Sequence, residues 1–367
     1  MSGRRIVAGA VLAVVTAPFM GACSSPPTSS LAPGLKQLVA QSSHERSDAF
    51  RRAAVWKPTP IETMDIRRGP AGPEAIAWQA TVRCRYVERP LRGHSLKFAC
   101  AGRNGDVMRV KVGRTNGEVY GEVAATRLLW ALGFGADRMY PARVICRGCP
   151  SRFGGERTED DEQSFDPAVI EQSMPGAEFE DDPGWAWPEL DLVDEHVGGA
   201  PRAHRDALKL LAVFLQHTDT KTEQQRLLCL DEPALEHPQR CQQPLLMLDD
   251  VGLTFGGANF INNNALGGVN FEWWSATPVW LDTPGCIGNL PRSFSGTLGY
   301  PRISEEGRLF LAGLLRRLSQ RQLHDLFAVS RFEERASASG TGSTGTVTEW
   351  IAAFNHKRDA IEQRRCL

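Results

Sequence analysis

The sequence predicts an α+β protein in which an antiparallel sheet and one helix come first and a mostly helical part follows. Three segments between residues 81 and 113 alternate apolar and polar side chains, the pattern of strands with one buried face. Later segments repeat apolar residues every three or four positions, the pattern of amphipathic helices. With 42% hydrophobic and 23% charged residues, the 367-residue chain has the composition of a globular protein.

The first 23 residues have the features of an export signal. Two arginines precede an apolar stretch over 6–19 that is too short to span a bilayer. A Met-Gly-Ala-Cys motif that ends at Cys23 resembles a bacterial lipobox, and this resemblance implies a lipidated Cys23. We therefore expect an exported protein, anchored only by this lipid to the outer side of a bacterial membrane. A Ser/Pro-rich tether over 24–34 follows. A soluble periplasmic or secreted protein is the alternative.

Eight cysteines remain besides Cys23, and an even number in an exported chain indicates disulfides. The sequence does not fix every pair, but Cys84 with Cys100 and Cys229 with Cys241 each bracket a predicted hairpin, so we expect local bridges there. The candidates are Cys84, Cys100, Cys146, Cys149, Cys229, Cys241, Cys286 and Cys366.

The motif Cys146-Arg-Gly-Cys149 admits three interpretations. It is a structural disulfide, half of a zinc site, or a redox-active pair. A second Cys-x-x-Cys motif or a nearby histidine pair would favour zinc, and the sequence has neither. The structural disulfide is therefore preferred.

The elements of the N-terminal lobe, expected over 35–165, form a meander and a helix. Gly93 lies in the connection between the first two strands, and Asn104-Gly105 is a tight-turn dipeptide between the second and third. The acidic run over 152–166 is interpreted as a solvated loop without chemistry. The predicted elements are strands over 81–87, 96–101 and 107–112, within a meander over 81–113, and a helix over 118–132.

The predicted helix carries two glutamates toward its apolar stripe. Glu118 and Glu122 share a helix face with an alanine and two leucines. A buried carboxylate needs a cationic partner, and Lys111 on the preceding strand is the nearest candidate. Alternatively, either glutamate reaches solvent at the edge of the helix.

The C-terminal lobe is expected over 166–367. Two strands flank the 229–241 cysteine pair, and Ser304 and Ser319 are predicted N-caps, the latter with capping-box spacing. A disordered loop is expected over 336–346. The predicted elements are helices over 201–215 and from 348 onward, and strands over 226–230 and 245–248.

Two motifs in this lobe contain the candidate catalytic and metal-binding residues. The octet over 217–224 contains Asp219 and Lys221 directly after a helix, and Asp250-Val-Gly follows the second strand. Phosphoryl transfer needs a lysine on the phosphates, a carboxylate that holds it, an aspartate facing the acceptor hydroxyl and oxygen ligands for a metal. The octet resembles the His-Arg-Asp-x-Lys-x-x-Asn catalytic loop of protein kinases, and Asp250-Val-Gly resembles their Asp-Phe-Gly motif.

With the export signal and the bracketing cysteines, the chain resembles the atypical, secretory-pathway branch of kinase-like folds, in an uncharacterised bacterial lipoprotein. The resemblance implies a two-lobed fold, ATP with Mg²⁺ or Mn²⁺, and an unidentified protein or small-molecule hydroxyl as acceptor. It implies Asp219 as catalytic base, Lys221 beside the transferred phosphoryl group, Asp250 and Gln224 as metal ligands, Lys111 with Glu122 as the phosphate-anchoring pair, and Gly93 in a loop over the nucleotide.

Three departures from the kinase pattern favour an alternative without catalysis, a kinase-fold binding or scaffold lipoprotein of the cell envelope. Gln224 replaces the metal-binding asparagine, Thr218 replaces an arginine, and the loop around Gly93 lacks the Gly-x-Gly-x-x-Gly pattern.

Two further classes are weaker. A hydrolase using Asp219, Asp249 and Asp250 is disfavoured because neighbouring strand residues point to opposite faces. A nucleic-acid binder is disfavoured because the formal charge is -1. The nine tryptophans are interpreted as packing residues rather than as a carbohydrate platform.

Overall fold

The computed structural model describes residues 44–91, 93, 95–149, 161–179, 182–231, 241–256, 268–335 and 344–366. The predicted export signal with Cys23, the tether over 24–34 and most of the loop over 336–346 lie outside these residues. In the part that is described, no helix is both long enough and apolar enough to cross a membrane. All of it belongs to one unit, residues 42–367.

Strands predominate in the first half of the described chain and helices in the second half. The strands are β1 (Thr81–Val87), β2 (Lys97–Ala101), β3 (Val107–Val112), β4 (Gly135–Ala136), β5 (Arg138–Arg147), β6 (Glu162–Gln172), β7 (Ala177–Glu178), β8 (Gln225–Cys229) and β9 (Pro244–Leu248). The helices are a segment over 44–51, α1 (Glu118–Leu132), α2 (Arg202–Leu215), α3 (Phe271–Ala276), α4 (Glu305–Arg316), α5 (Gln320–Val329) and α6 (Val347–Gln363). Short 3-10 turns cover Ile61–Thr63, Trp187–Leu192, Glu195–Val197, Thr222–Gln224 and Phe332–Glu334. The predicted α+β class is confirmed.

Five strands close into a barrel in the order β1-β2-β3-β6-β5. The antiparallel meander predicted over 81–113 is confirmed, because β2 pairs antiparallel with both β1 and β3. The sheet also contains one parallel pair, β1 with β5, which the sequence did not predict, while its other neighbours are antiparallel. The sequence did not indicate β5 because most of its residues are buried on both faces, which removes the alternation that marks a half-buried strand. Strand β6 begins at Glu162, inside the run interpreted as a loop, and it continues through residue 165, where the lobe boundary was expected.

Alternation sends successive side chains of β3 in opposite directions. Val110 and Val112 are buried in an apolar cluster inside the barrel, together with Phe98 and Ile170. Lys111 lies between these two valines and therefore faces away from the barrel interior, toward α1. This orientation places its amine at the candidate site described below.

A second, larger core surrounds α1 and α2 and extends through the C-terminal helices. Beside it, β4, β9, β8 and β7 form a four-stranded sheet in that order. Aromatic rings fill this core: Trp274 and Trp350 have centroids 5.3 Å apart, and Phe255 contacts both rings. Trp185 and Trp187 are also fully buried. These tryptophans pack in the core.

The helix ends follow local capping signals. Ser304 accepts a hydrogen bond from the Gly307 N–H, and Ser319 forms a capping box with Gln322. At the other end of α1, Gly133 adopts a left-handed conformation with φ 89°. A Cβ there would lie 2.0 Å from the carbonyl oxygen of Lys57, so only glycine fits.

The eight cysteines of the described part form four disulfides. The predicted bridges between Cys84 and Cys100 and between Cys229 and Cys241 are confirmed. Cys146 is bonded to Cys149, so the motif forms a disulfide rather than half of a zinc site. The fourth bridge, Cys286 to Cys366, closes the longest separation, 80 residues.

Candidate functional site

The site is built around a buried ion pair between β3 and α1. The Lys111 amine donates to Glu122 Oε1 at 2.5 Å, and the two side chains are 2% and 0% exposed. Of the two possibilities left open for Glu122, the structure has the paired carboxylate rather than the solvent-exposed one. Glu118, one turn earlier on α1, lies 3.6 Å from the same amine and is partly exposed.

Lys111 is surrounded by more negative than positive charge. Glu171 on β6 also lies 3.6 Å from its amine. Burial alone would lower the pKa of Lys111, but the neighbouring carboxylates, Glu122 first, outweigh burial and raise this pKa well above its ordinary value. The lysine is therefore charged at neutral pH.

Asp250 joins the same cluster from the end of β9. Its Oδ1 accepts a hydrogen bond from the Gly252 N–H at 3.0 Å. Burial would raise the pKa of this carboxyl, but Lys111 and then the backbone hydrogen bond lower it to about 2. Asp250 is thus ionised at neutral pH, as a cation ligand must be.

The glycines of α1 and of the Asp-x-Gly motif allow these two segments to touch. A Cβ on Gly252 would lie 2.6 Å from Glu118 Cγ and 3.0 Å from Glu122 Oε1, and a Cβ on Gly121 would lie 3.3 Å from the Gly252 carbonyl oxygen. Side chains at either position would push the motif off the helix. The structure therefore brings Lys111, Glu122 and Asp250 together, although they are distant in sequence.

The segment over 217–224 lies beside the same motif through backbone hydrogen bonds. The Thr218 N–H donates to the Leu253 carbonyl at 3.0 Å, and the Asp249 N–H donates to the Gln224 carbonyl at 2.9 Å. On its other side, the Thr297 hydroxyl donates to the Thr220 carbonyl at 2.8 Å. These contacts fix the segment against the end of β9.

Asp219 is held by two neighbours of its own segment. The Gln224 amide nitrogen donates to Asp219 Oδ2 at 2.9 Å, and the Lys221 amine lies 3.1 Å from that same oxygen. Both contacts fall on Oδ2, which orients the carboxylate and leaves Oδ1 for another group. Because the Gln224 amide nitrogen is engaged, only its amide oxygen remains for a cation.

His217, the first residue of the segment, is fully buried and neutral. Burial lowers its pKa to about 4, although Asp219 and Asp250 act in the opposite direction. Neither ring nitrogen has a hydrogen-bond partner among the described residues. Its ring lies 6.4 Å from that of Trp187, so it contributes mainly packing behind the segment.

Gly93 lies over a second lysine. A Cβ at this glycine would be 2.7 Å from Lys97 Nζ, and its φ of 87° is in the left-handed region. Lys97 is the register partner of Lys111 across β2 and β3. Burial lowers the pKa of Lys97, and the charge of Lys111 lowers it further. Gly93 therefore lies beside the cationic end of the site.

Sequence reasoning missed two acidic residues near the site, Glu171 and Asp137. Glu171 lies in the part of β6 beyond the run interpreted as loop, where no element was predicted, and it also pairs with Arg109. Asp137 and Asp249 interact, and burial followed by the charge of Asp249 raises the pKa of Asp137 well above its ordinary value. The adjacent pair at 249 and 250 was visible in the sequence, but Asp137 lies on a connection that carries no motif.

Four carboxylates surround the amine of Lys111. The carboxylates of Glu118, Glu122, Glu171 and Asp250 act on Lys111, and the further cations beside them are Lys97, with a lowered pKa, and Arg109, which pairs with Glu171. Glu122 Oε2 is buried without a hydrogen-bond partner in the described part. Carboxylate and amide oxygens are ligands that Mg²⁺ accepts.

Comparisons with known proteins give little further information. No protein-family model matches the chain, and the search of curated proteins gives no match. Among solved structures, the crystal structure of a Helicobacter pylori proinflammatory kinase, CtkA, is similar with 11% identity and a TM-score of 0.40, covering 76% of this chain and 95% of that chain. Similarity at this level does not establish a shared function.

Proposed function

We propose that this protein has a two-lobed kinase-like fold and transfers a phosphoryl group from a magnesium nucleotide to a hydroxyl acceptor. The observation that carries the proposal is the convergence of the Lys111–Glu122 ion pair with Asp250, next to the segment that holds Asp219. Phosphoryl transfer depends on positioning and charge rather than on covalent chemistry, and this cluster supplies both.

Each residue has a role that its surroundings support. Lys111, kept charged by its carboxylates and held by Glu122, is suited to bind phosphate oxygens. Asp219 is oriented through Oδ2, so Oδ1 is suited to accept the proton of an acceptor hydroxyl. Lys221 beside it adds positive charge where the transferred group would pass.

Asp250 and the Gln224 amide oxygen would hold the metal. When bound, Mg²⁺ would neutralise phosphate charge. Lys111 and Lys97 would neutralise this charge only in part, because four carboxylates already surround Lys111. The ionised state of Asp250 at neutral pH suits this role. The loop around Gly93 would exclude water from the phosphates.

The proposal places the protein outside the cytoplasm, anchored by lipid at Cys23. Four disulfides in the described part support an oxidising compartment. The second candidate is an inactive kinase-fold scaffold in the same location. It is favoured by the hydrogen bond from Gln224 to Asp219, because this bond ties the proposed metal ligand to the proposed base.

Calorimetric titration with Mg-ATP, together with thermal unfolding, tests the proposal. We expect the parent protein to bind, and saturation at 100 times the dissociation constant adds ~2.7 kcal/mol to its stability. Asp250→Asn should lose the magnesium-dependent binding. Asp219→Asn should bind as the parent does and lose phosphate transfer, measured as labelled phosphate leaving the nucleotide.

Asp191→Asn is the matched control, because this aspartate is 72% exposed and pairs with Lys209 away from the site. It should behave as the parent in both assays. Binding by the parent without transfer supports the scaffold. Absence of binding by the parent, or unchanged binding by Asp250→Asn, contradicts the assigned site.

A further inference from the structure

Two disulfides lie in contact inside the barrel. Cys84–Cys100 joins β1 to β2, and Cys146–Cys149 follows the end of β5. The Sγ atoms of Cys100 and Cys146 are 3.7 Å apart, and those of Cys84, Cys100 and Cys146 all lie within 4.8 Å of one another. Cys84 and Cys146 are also register partners in the parallel β1–β5 pair.

This proximity comes from the fold and not from the sequence spacing. Parallel pairing of β1 with β5 brings Cys146 beside Cys84, and both side chains point into the barrel interior with Val110 and Val144. The other two bridges contribute Cys229, Cys241 and Cys286 to the second core instead. Within the described residues, the barrel therefore holds one pair of disulfides whose sulfurs are in van der Waals contact.

We propose that the barrel interior is a thiol–disulfide exchange site whose co-reactant is a dithiol. A thiolate of the dithiol attacks Cys149 Sγ, the Cys146–Cys149 bond breaks, and Cys146 leaves as a thiolate. The second thiol of the reductant then displaces Cys149, which takes up a proton, and the reductant leaves as a disulfide. The pair at 146 and 149 has gained two electrons.

The second step is internal and consumes no reductant. The Cys146 thiolate attacks Cys100 Sγ, a Cys100–Cys146 bond forms, the Cys84–Cys100 bond breaks, and Cys84 leaves as a thiolate that takes up a proton. The bridge changes from one between neighbouring strands, β1 and β2, to one across the interior between β2 and β5. Strand β2 also carries Lys97, so the exchange alters the support of the strand beside the candidate site.

The variant Cys149→Ser tests the internal step without any reductant, because it leaves a Cys146 thiol 3.7 Å from Cys100. The purified variant is incubated at pH 8, quenched with acid, denatured and alkylated with a maleimide, and peptide mapping locates the label. If the two pairings differ less than tenfold in stability, at least about a tenth of the label is on Cys84. Label on Cys146 alone, or on Cys100, overturns the proposal.

Cys146→Ser is the matched control, since it removes the attacking sulfur and keeps the same number of thiols. Its label should stay on Cys149, and label on Cys84 in this variant would contradict the role of Cys146. Folding of both variants is checked by intact Cys229–Cys241 and Cys286–Cys366 bridges in the same map. In the parent, one equivalent of dithiothreitol should free Cys149 and divide the second free thiol between Cys146 and Cys84, with at least about a tenth of it on Cys84 if the two pairings differ less than tenfold in stability. A second free thiol on Cys146 alone would overturn the proposal.

Discussion

Replacing Lys111 with methionine tests the charge balance of the buried cluster. In the described part of the chain, Lys111 is the only cation that contacts Glu122, whose side chain is 0% exposed. Removing Lys111 leaves an uncompensated buried carboxylate, which should lower the free energy of unfolding by about 3–5 kcal/mol. Glu122→Gln should cost less, about 1–3 kcal/mol, because Lys111 keeps Glu118 and Glu171 at 3.6 Å. The expected difference of about 2 kcal/mol corresponds to a roughly 30-fold change in the unfolding equilibrium.

Urea unfolding at pH 8 and pH 5, with the disulfides intact, measures these losses. Burial already raises the pKa of Glu122 in the parent, although Lys111 opposes this, and Lys111→Met removes the opposition, so the folded variant binds a proton still more tightly than the unfolded chain does. The decrease in unfolding free energy caused by Lys111→Met should therefore be smaller at pH 5 than at pH 8. Glu122→Gln has no such carboxyl and should show a weaker pH dependence.

Lys209→Met is the control, because Lys209 is also largely buried but pairs with the exposed Asp191 at 3.0 Å, and its other partner, the buried Asp206, keeps Arg202 as a counterion at 3.3 Å. This variant should lower the free energy of unfolding by about 1 kcal/mol or less. If Glu122→Gln costs as much as Lys111→Met, or if the Lys111→Met loss grows at pH 5, the assignment of Lys111 as the counterion of the cluster is wrong.

Two further predictions concern stability alone. Asp137→Asn should raise the free energy of unfolding at pH 7 by about 0.5–2 kcal/mol, the range of single stabilising substitutions, because burial raises the pKa of Asp137 and the asparagine carries no charge to bury. The gain should fade toward pH 4 in urea titrations, and a gain independent of pH would contradict the prediction. Gly133→Ala should lower the free energy of unfolding by about 2–4 kcal/mol, because residue 133 has a left-handed φ of 89° and a Cβ there would lie 2.0 Å from the Lys57 carbonyl oxygen. An unchanged thermal midpoint would refute this prediction.

The sequence was informative wherever local periodicity and chemistry agreed. Helix α1 begins and ends where its apolar stripe predicted, at Glu118 and Leu132. The need of a buried carboxylate for a cation led directly to Lys111, which is the partner observed for Glu122. The roles of Asp219 and Asp250 in catalysis stay predictions, because geometry alone does not test them.

Strands β5 and β6, which the sequence did not predict, lack the alternation of apolar and polar residues that identifies a half-buried strand. Strand β6 combines a first half whose residues are exposed or half-buried with a second half that is almost wholly buried, and its sequence does not alternate apolar and polar residues along its length. Without β5 and β6, neither barrel closure nor the arrival of Glu171 beside Lys111 is predictable. Contact between the two disulfides depends on the same parallel pairing, which only the tertiary fold specifies.

Closure of the barrel also limits how this protein can bind other chains. Each of its five strands has a neighbour on both sides, so in the described residues the barrel offers no open edge for an added strand. The second sheet ends at β4 and β7, which are two residues long and too short to template an extended partner. Ordered polymerisation through β-augmentation of the described strands is thereby disfavoured, and recognition by these two sheets must use side chains.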